Sequence, residues 1–260
     1  MNLPSRIIRL SFACSLLAVS ASAALVPVST IADAFVTSAS PTGNYGGAGA
    51  IGVAAAGLPK GEFDSVLKFD LAAAKAQFDT LFGAGTWTIT DISLQLTAAP
   101  PANATFNGNG TGPGGTNVNT AGLLAIRWMQ NDLWTEGTGT PGAPGATGIT
   151  FSTLPSFLSG ADEALGTFGV SSATSGASAP FSLPLTPAFL ADSTGGNVVS
   201  FELTPADTSI AYLADSRSFG TTSFRPVLKV SAVPEPGTAL FGTALLAASG
   251  LARRRSRRGV

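Results

Sequence analysis

Short apolar runs alternate with polar, turn-rich segments along most of the chain. In residues 67–71, 199–203 and 224–230, every second position is apolar and the positions between are mostly polar. Because successive side chains of a strand point to opposite faces, this alternation is typical of strands with one buried face. Loops rich in Gly, Pro, Ser, Asn and Thr separate the runs. The sequence therefore predicts an all-β fold, specifically an antiparallel, jelly-roll-like β-sandwich.

One apolar run changes phase partway along its length. In residues 86–97 the apolar positions are first odd-numbered and then, from Ile92 onward, even-numbered. One extra residue in a strand produces such a slip, so we expect a β-bulge near Thr90 and Asp91. Trp87 is in phase with the first part of the run. We expect it in the core, because aromatic side chains dominate protein cores.

Two segments have helical rather than strand character. Residues 71–82 place apolar side chains at helical spacing among strong helix formers, with Asp70 available as the N-cap. We expect one short surface helix there, inserted between strands. Residues 186–190 combine a capping threonine with Pro187 at the first helical position, which predicts a single helical turn.

Two further stretches are rich in Gly, Pro, Asn and Thr and low in sequence complexity. They are residues 98–119 and 137–148. Such composition is typical of loops, so we expect both stretches to be exposed.

The use of cysteine and histidine limits the chemistry that the chain can perform. The only cysteine is Cys14, close to the N-terminus, so a chain that lost this segment would form no disulfide. There is no histidine. Catalysis by Ser-His-Asp or Cys-His groups and the usual zinc sites are therefore excluded.

Charge is distributed unevenly along the sequence. Seven of the fourteen basic residues lie in the two terminal segments, and all fifteen acidic residues lie between those arginines. The intervening chain therefore carries seven basic and fifteen acidic groups, a net charge of −8. Because nucleic-acid binding needs a basic surface, we expect no nucleic-acid partner.

The N-terminal segment has the three parts of a secretory signal peptide. Arg6 and Arg9 precede an apolar stretch over residues 10–20, and small residues follow it. We expect this segment, residues 1–23, to form a signal helix that is removed after export. The predicted cleavage signal consists of Ala21, Ala23 and Ala24.

The C-terminal segment, residues 234–260, also has three parts. A Pro-Glu-Pro tripeptide is followed by an apolar run over residues 239–252 and then by clustered arginines. The apolar run is shorter than the roughly 20 residues of a comfortable transmembrane helix. The arginines should hold its end on the cytoplasmic side, so we expect a short, temporary transmembrane helix. The residues that carry this signal are Pro234, Glu235, Pro236, Arg253, Arg254 and Arg255.

This order of parts resembles the PEP-CTERM sorting signal of Gram-negative bacteria. The resemblance implies recognition by an exosortase, a membrane-embedded protease, in addition to the secretion machinery. It also implies export across the inner membrane, transient anchoring by the C-terminus, and delivery to the cell surface or extracellular matrix.

A second resemblance covers nearly all of the intervening domain, residues 24–233. The succession of short segments resembles the DNRLRE-type domain, although Asp215, Ser216 and Arg217 follow the namesake motif only in part. The family implies a β-sandwich appended to exported bacterial proteins and related to modules described as carbohydrate-binding. The segments that carry the resemblance are residues 32–38, 44–47, 65–71, 92–96, 132–138, 149–151, 214–217 and 225–230.

Two tryptophans allow either a structural or a binding role. Trp128 and Trp134 flank a short polar segment, and exposed tryptophans that stack on sugar faces are a common means of holding glycans. The alternative is that Trp134 packs under its own turn while Glu136 and Thr138 bond the loop backbone. We favour this structural interpretation, because the Trp-x-Glu-x-Thr segment of the family looks structural.

Acidic residues supply the remaining candidate sites. They fall in groups in what look like loops and turns: Glu62 with Asp64, Asp162 with Glu163, and Asp132 with Glu136. Two carboxylates about 5 to 10 Å apart could serve a glycosidase. Loop carboxylates also suit a structural calcium ion, although no diagnostic calcium-binding spacing is present. Solvated surface charges are the commoner explanation, and we expect no catalytic site and no other cofactor.

The sequence thus favours an exported, non-enzymatic protein of the extracellular matrix or cell surface. One alternative is a carbohydrate-binding module acting on exopolysaccharide. A third hypothesis is a polysaccharide hydrolase that uses carboxylates.

Overall fold

The computed structural model describes residues 22–58, 60–100 and 119–235. Residues Ala23–Glu235 form one compact unit. The described ranges contain strands β1 (Ala24–Thr37), β2 (Ala50–Ala54), β3 (Phe63–Asp70), β4 (Trp87–Thr97), β5 (Gly122–Met129), β6 (Glu163–Val170), β7 (Ser178–Leu183), β8 (Val198–Pro205), β9 (Ala211–Asp215) and β10 (Val227–Pro234). The helices are α1 (Ala72–Phe82) and α2 (Pro187–Gly195), with 3-10 turns at Leu154–Phe157 and Thr222–Phe224.

Every pair of these strands is antiparallel, and this confirms the predicted antiparallel all-β class. The predicted signal helix, the C-terminal apolar helix and the terminal arginines lie outside the described residues. Within the described part, no helix combines the length and the hydropathy needed to span a bilayer.

Strand β1 belongs to two ladders, which we call sheet A and sheet B. Sheet A consists of the first half of β1 followed by β10, β4 and β7. Sheet B consists of the second half of β1 followed by β3, β8, β5 and β6, and β2 joins β9 to the edge of β3. The partner of β1 changes from β10 to β3 between Ser29 and Thr30, and the register with β3 shifts by one residue between Thr30 and Ala32. The two ends of the chain's folded domain thus lie side by side, because β1 pairs with β10.

One hydrophobic cluster receives side chains from both sheets. Leu94 and Leu228 of sheet A, and Phe69 and Phe201 of sheet B, are fully buried in it. We call the faces that supply this cluster the inward faces, and the opposite ones the outward faces. The alternation of residues 67–71 and 199–203 is confirmed, because their in-phase apolar residues all belong to this cluster. In the predicted run 224–230 it is confirmed for Leu228 and Val230 only, because Phe224 ends a 3-10 turn and β10 begins at Val227. Each buried side chain of this size contributes about 1.5 to 3 kcal/mol.

The predicted β-bulge in β4 is present. Ser231 pairs with Asp91, whereas the next residue, Ala232, pairs with Ile89. Thr90 is therefore the extra residue, and it lets both parts of the apolar run point inward. Trp87 is buried in the core as predicted.

Helix α1 is inserted between β3 and β4 as predicted. It buries Ala74 and Phe78 against the core. Leu71 occupies the N-cap position, and the carboxylate of Asp70 accepts a hydrogen bond from the Ala72 N–H at 2.9 Å. Asp70 thus satisfies one of the free N–H groups of the first turn, but it lies one residue before the N-cap rather than at the N-cap as predicted.

Helix α2 is longer than the single turn that the sequence predicted, because it spans nine residues. The hydroxyl of Thr186 does not cap it. Instead, the carboxylate of Glu163 accepts hydrogen bonds from the N–H groups of Ala188 (3.0 Å) and Phe189 (2.8 Å). Glu163 is the first residue of β6 rather than a loop residue, so the prediction for its position was wrong. A negative charge at a helix N-terminus is stabilising, and here it ties α2 to sheet B.

The long connection between β5 and β6, residues 130–162, packs on the outward face of sheet B, and we call it the covering segment. A second hydrophobic cluster joins the two parts: Ala34, Val36, Val66 and Met129 from the sheet, with Trp134, Ile149 and Leu154 from the covering segment. Residues 137–148 were predicted to be exposed. This is confirmed for the tip of the segment, residues 140–144, but Gly139 is buried. In the other predicted loop, Ala98 and Asn119 are buried, and residues 101–118 lie outside the described part.

Candidate functional site

Four polar residues from separate segments meet at one edge of sheet B. Asp33 lies in β1, Asn44 in the loop after β1, Glu136 in the covering segment, and Arg217 just after β9. All four belong to segments that carry the DNRLRE-type resemblance. We call them the Arg217 junction.

Glu136 and Asp33 hold Arg217 by its side chain and its main chain. One oxygen of Glu136 accepts hydrogen bonds from Arg217 Nε (3.1 Å) and from the Asp33 N–H (3.2 Å), and the other oxygen accepts one from Arg217 Nη2. Asp33 Oδ2 accepts a hydrogen bond from the Arg217 N–H at 2.6 Å. Because β1 borders sheet B, Glu136 also satisfies an N–H group that an edge strand would leave unpaired.

Burial has the largest influence on the pKa of the Asp33 carboxyl in the Arg217 junction. It raises the pKa of Asp33 to about 7, a rise that the nearby charge of Glu136 supports and the hydrogen bond from Arg217 opposes. Asp33 Oδ1 is buried without a hydrogen-bond partner. The hydrogen bond to Glu136 raises the pKa of Arg217, which stays charged. The junction therefore contains a carboxyl group that titrates near neutral pH.

Asn44 fixes the course of the covering segment beside this junction. Its Nδ2 donates to the backbone carbonyls of Glu136 (2.6 Å) and Ile149 (2.7 Å). Its Oδ1 accepts hydrogen bonds from the N–H groups of Gly46 (3.2 Å) and Gly139 (3.3 Å). A Cβ at position 139 would lie only 1.8 Å from the Asn44 carbonyl oxygen, so only glycine fits there. This explains why part of the low-complexity stretch is buried.

A second polar network lies on the outward face of sheet B, and we call it the Trp134 anchor. The Trp134 indole N–H donates to Ser200 Oγ at 3.0 Å. Lys68 Nζ donates to the carbonyl oxygens of Asp132 (2.6 Å) and Trp134 (2.7 Å), and it lies 4.4 Å from the centre of the Trp134 ring. Burial lowers the pKa of Lys68 and raises the pKa of the Asp132 carboxyl. The anchor fastens the covering segment to β3 and β8.

Ser200 and Lys68 occupy facing positions on β8 and β3, a pairing of residue types that can activate a serine nucleophile. Here, however, the side chain of Ser200 is fully buried, and its oxygen accepts the Trp134 N–H. A substrate has no route to this hydroxyl in this arrangement. No sequence pattern indicated this pair, because the two residues are far apart in the chain.

The two candidate glycan-binding tryptophans are both buried. Trp128 is 4% exposed and Trp134 is 1% exposed. A stacking platform needs an open ring face, and neither ring offers one in this arrangement. Trp134 instead has the buried position that the sequence favoured. The Glu136 carboxylate, however, bonds the Asp33 N–H of β1 and the Arg217 side chain rather than the backbone of its own loop.

An open groove lies beside the Trp134 anchor, within the covering segment. It has a volume of about 510 Å³. Leu133, at its rim, is 84% exposed. The lining combines amide, carboxyl and hydroxyl groups with apolar side chains: Gln130, Asn131, Asp132, Leu133, Ser156, Phe157, Leu158 and Ser159. No sequence pattern indicated this groove, because its two walls are about 25 residues apart in the chain.

The predicted carboxylate pairs are divided among different structural roles. Asp64 lies within β3 rather than in a loop, and it is 7% exposed. Burial raises its pKa to about 7, and the charges of Glu62 and Glu202 support this rise. Asp162 accepts hydrogen bonds from Ser159 and from the Gln130 N–H, so it closes the covering segment.

Glu202 of β8 was not singled out from the sequence, yet it is one of the buried carboxylates of sheet B. It is 4% exposed and lies 3.5 Å from Arg127 Nε. Burial raises its pKa, and Arg127 opposes that rise. Among the described residues, no three acidic, cysteine or histidine side chains converge as metal ligands would. A calcium site therefore stays a prediction without a described set of ligands.

The residues of the two predicted export signals are only partly described. Ala23 precedes β1, and Ala24 is its first residue. Pro234 is the last residue of β10, and the Glu235 N–H donates to the Thr86 carbonyl at 2.9 Å. Ala21, Pro236, Arg253, Arg254 and Arg255 lie outside the described residues.

Comparison of the sequence with protein-family models and with curated proteins finds no match.

Proposed function

We propose that this chain is an exported, non-enzymatic protein of the cell surface or extracellular matrix. The observation that carries the proposal is the order of parts in residues 234–260: a Pro-Glu-Pro tripeptide, an apolar run and an arginine cluster. The N-terminal signal, residues 1–23, supports the same route. The partners would be the secretion machinery and an exosortase-type membrane protease, with exopolysaccharide as a component of the matrix.

In this proposal the folded domain is a jelly-roll-like β-sandwich. Two observations support that architecture. A single cluster takes side chains from the inward faces of both sheets, and β1 passes from one sheet to the other at Thr30. Strands that switch between packed sheets are a feature of such folds.

The use of polar side chains supports a structural role for the domain. Lys68, Ser200, Glu136 and Arg217 carry the chemistry of catalytic groups, yet each one bonds the covering segment or the strand beside it. Their hydrogen bonds rigidify a β-domain that has no cysteine to cross-link it. A stable module of this kind suits a protein that must persist outside the cell.

Replacing the five C-terminal arginines with serine tests the export route. Those charges should retain and orient the C-terminal segment, so the variant should leave less protein arrested at the inner membrane. The measurement is fractionation of the cells that produce the full-length chain. The matched control is Lys60→Ser with Lys75→Ser, which removes basic charges from the domain only. An unchanged distribution of the arginine variant would overturn the proposal.

The groove in the covering segment favours one alternative function, glycan binding. Its mixture of amides, hydroxyls, a carboxyl and apolar side chains is the kind of lining that can hydrogen-bond and pack against a sugar. Affinity electrophoresis of the protein in gels containing exopolysaccharide tests this alternative. Retardation that Asn131→Ala with Leu133→Ala abolishes would support it, and equal mobility with and without polysaccharide would exclude it.

A further inference from the structure

The first two residues of the sorting tripeptide are part of the folded domain. After the bulge, β10 continues to pair with β4 through Val233 with Thr88 and Pro234 with Trp87. The hydrogen bond from the Glu235 N–H to the Thr86 carbonyl extends this ladder by one more residue. In an antiparallel pair, only alternate residues of a strand hydrogen-bond to the neighbouring strand. Glu235 occupies such a position opposite β4 and Pro234 does not, so the missing N–H of Pro234 costs the ladder no hydrogen bond to β4.

The β4 side of this ladder is fixed firmly. The Trp87 indole N–H donates to Asp79 of α1 at 2.8 Å, and the Trp87 and Phe78 rings lie 5.1 Å apart. The Thr86 hydroxyl donates to the carbonyl of Phe82, and the Thr86 N–H donates to that of Gly83. Any opening of the ladder must therefore come from the end of β10.

Proteases commonly bind a substrate as an extended strand, through its backbone N–H and C=O groups. In the folded domain, the Glu235 N–H is already bonded to Thr86, and β4 occupies that edge of Pro234 and Glu235. We infer that an exosortase-type protease can bind the tripeptide only after the end of β10 has separated from β4. Sorting is then coupled to local opening of sheet A. This inference rests on the proposed function.

The consequence is kinetic. When opening is fast and reversible, cleavage follows the population of the open form. In the hydrolytic form of the step, the C–N bond breaks and water supplies the hydroxyl and the proton of the two new ends. Opening requires that one or two ladder hydrogen bonds break. Their free energy makes the fraction of molecules with an accessible tripeptide roughly three- to tenfold smaller than it would be without the ladder.

A spacer provides the first test. Inserting Gly-Ser-Gly-Ser between Val233 and Pro234 moves the tripeptide out of the ladder and leaves its distance from the apolar run unchanged. We expect processing of the full-length chain, followed by pulse-chase in the producing cells, to become about three- to tenfold faster. The matched control places the same insert after Gly142, at the exposed tip of the covering segment, where a side chain would meet no neighbouring atom within 4 Å, and should leave the rate unchanged.

A reversible lock provides the opposite test. Thr88→Cys with Val233→Cys joins paired residues about 5.5 Å apart, which suits a disulfide. The oxidised variant should be processed more slowly than the parent, and reductant should restore the rate. The control lock, Ser93→Cys with Lys229→Cys, joins the same two strands away from the tripeptide and should have little effect.

The outcomes separate the coupling from the sorting route. If the arginine and Glu235→Ala variants block processing but the spacer and the lock do not change it, the sorting route stands and the coupling is refuted. If the parent and the spacer variant are both left unprocessed, both proposals fail. Hydrogen exchange on the intact protein checks the starting point, because an unprotected Glu235 amide would also refute the coupling.

Discussion

Sheets A and B each place a serine directly opposite a lysine on the outward face, but the surroundings of the two serines differ. Ser93 of sheet A pairs with Lys229 and is partly exposed. Ser200 of sheet B pairs with Lys68, is fully buried, and accepts a hydrogen bond from Trp134. The same two residue types thus form a solvated surface in one sheet and an internal polar layer in the other.

This difference shows what an alternating pattern reports. Alternation identifies the positions that avoid the inward core, and it does so correctly for both sheets. It does not report whether the other positions meet water or a covering segment. The predictions below therefore test the two faces against each other.

The largest effect should come from Trp134→Ala, which removes the side chain that anchors the covering segment to sheet B. Deleting a fully buried tryptophan leaves a cavity, so we expect a loss of about 3 to 5 kcal/mol in the free energy of unfolding. Urea or thermal unfolding measures it. The control is Leu133→Ala, whose side chain is 84% exposed and should change stability by no more than about 0.5 kcal/mol. A Trp134→Ala melt that matches the parent would show that the covering segment is not needed for stability.

The next effect is on pH dependence, through Asp64 on the outward face of sheet B. Its pKa in the folded state is about 7, above the ordinary value of 3.8, so its contribution to stability is complete below about pH 3.8 and is lost as the pH rises to about 7. The loss is on the order of 4 kcal/mol. Asp64→Asn should flatten this part of the profile, as measured by urea unfolding between pH 4 and 8.

Asp207 provides a control of opposite sign for this pH prediction. Burial raises its pKa, but hydrogen bonds from Ser209, Ile210 and Leu123 outweigh that effect and lower it. Asp207 therefore stabilises the fold above its ordinary pKa, and this contribution is lost as the pH falls. Asp207→Asn should leave the slope between pH 5 and 7 intact. If both variants change that slope alike, Asp64 is not its source.

Asn44→Ala should have a smaller effect, of about 2 to 3 kcal/mol. It leaves the carbonyls of Glu136 and Ile149, and the Gly46 and Gly139 N–H groups, without their side-chain partner inside the protein. Thermal unfolding measures the loss. Asn131→Ala is the control, because the Asn131 side chain accepts its hydrogen bond from the Leu133 N–H in an exposed part of the covering segment. Equal melting of the two variants would mean that the junction does not depend on Asn44.

The matched pair Ser200→Ala and Ser93→Ala should give the smallest effect and the most direct comparison of the faces. Ser200→Ala leaves the buried Trp134 N–H unsatisfied and should cost about 1 to 2 kcal/mol. Ser93→Ala should stay within about 0.5 kcal/mol of the parent. Denaturant unfolding of the two variants and the double mutant gives the difference. Equal losses from the two single changes would mean that the two faces are energetically alike.

Several features of the fold followed from the sequence because they are local. The inward alternation, the extra residue at Thr90, the inserted helix α1 and the buried position of Trp87 were predicted from spacing, helix propensity and residue type. The buried position of Trp134 was favoured only because its segment resembles one that looks structural in the DNRLRE-type domain. These signals extend over a few residues, where the period of a strand or a helix fixes which side chains share a face.

The polar layer and the junction depended on contacts between distant segments. Arg217 meets Glu136 and Asp33 across 81 and 184 residues of sequence, and Glu163 caps a helix about 25 residues away. Charge and polarity favour solvent unless another segment supplies partners, and no local pattern shows which segment will do so.

The sequence by itself therefore determined the strand faces, the bulge and the helix α1, because these depend on neighbours along the chain, and it predicted two export signals in residues 1–23 and 234–260. Only the tertiary structure decided that the outward face of sheet B is covered, that its carboxyls titrate at unusual pH, and that Pro234 and Glu235 extend β10. The physical reason is that burial and hydrogen-bond pairing depend on the strands and loops that folding brings together.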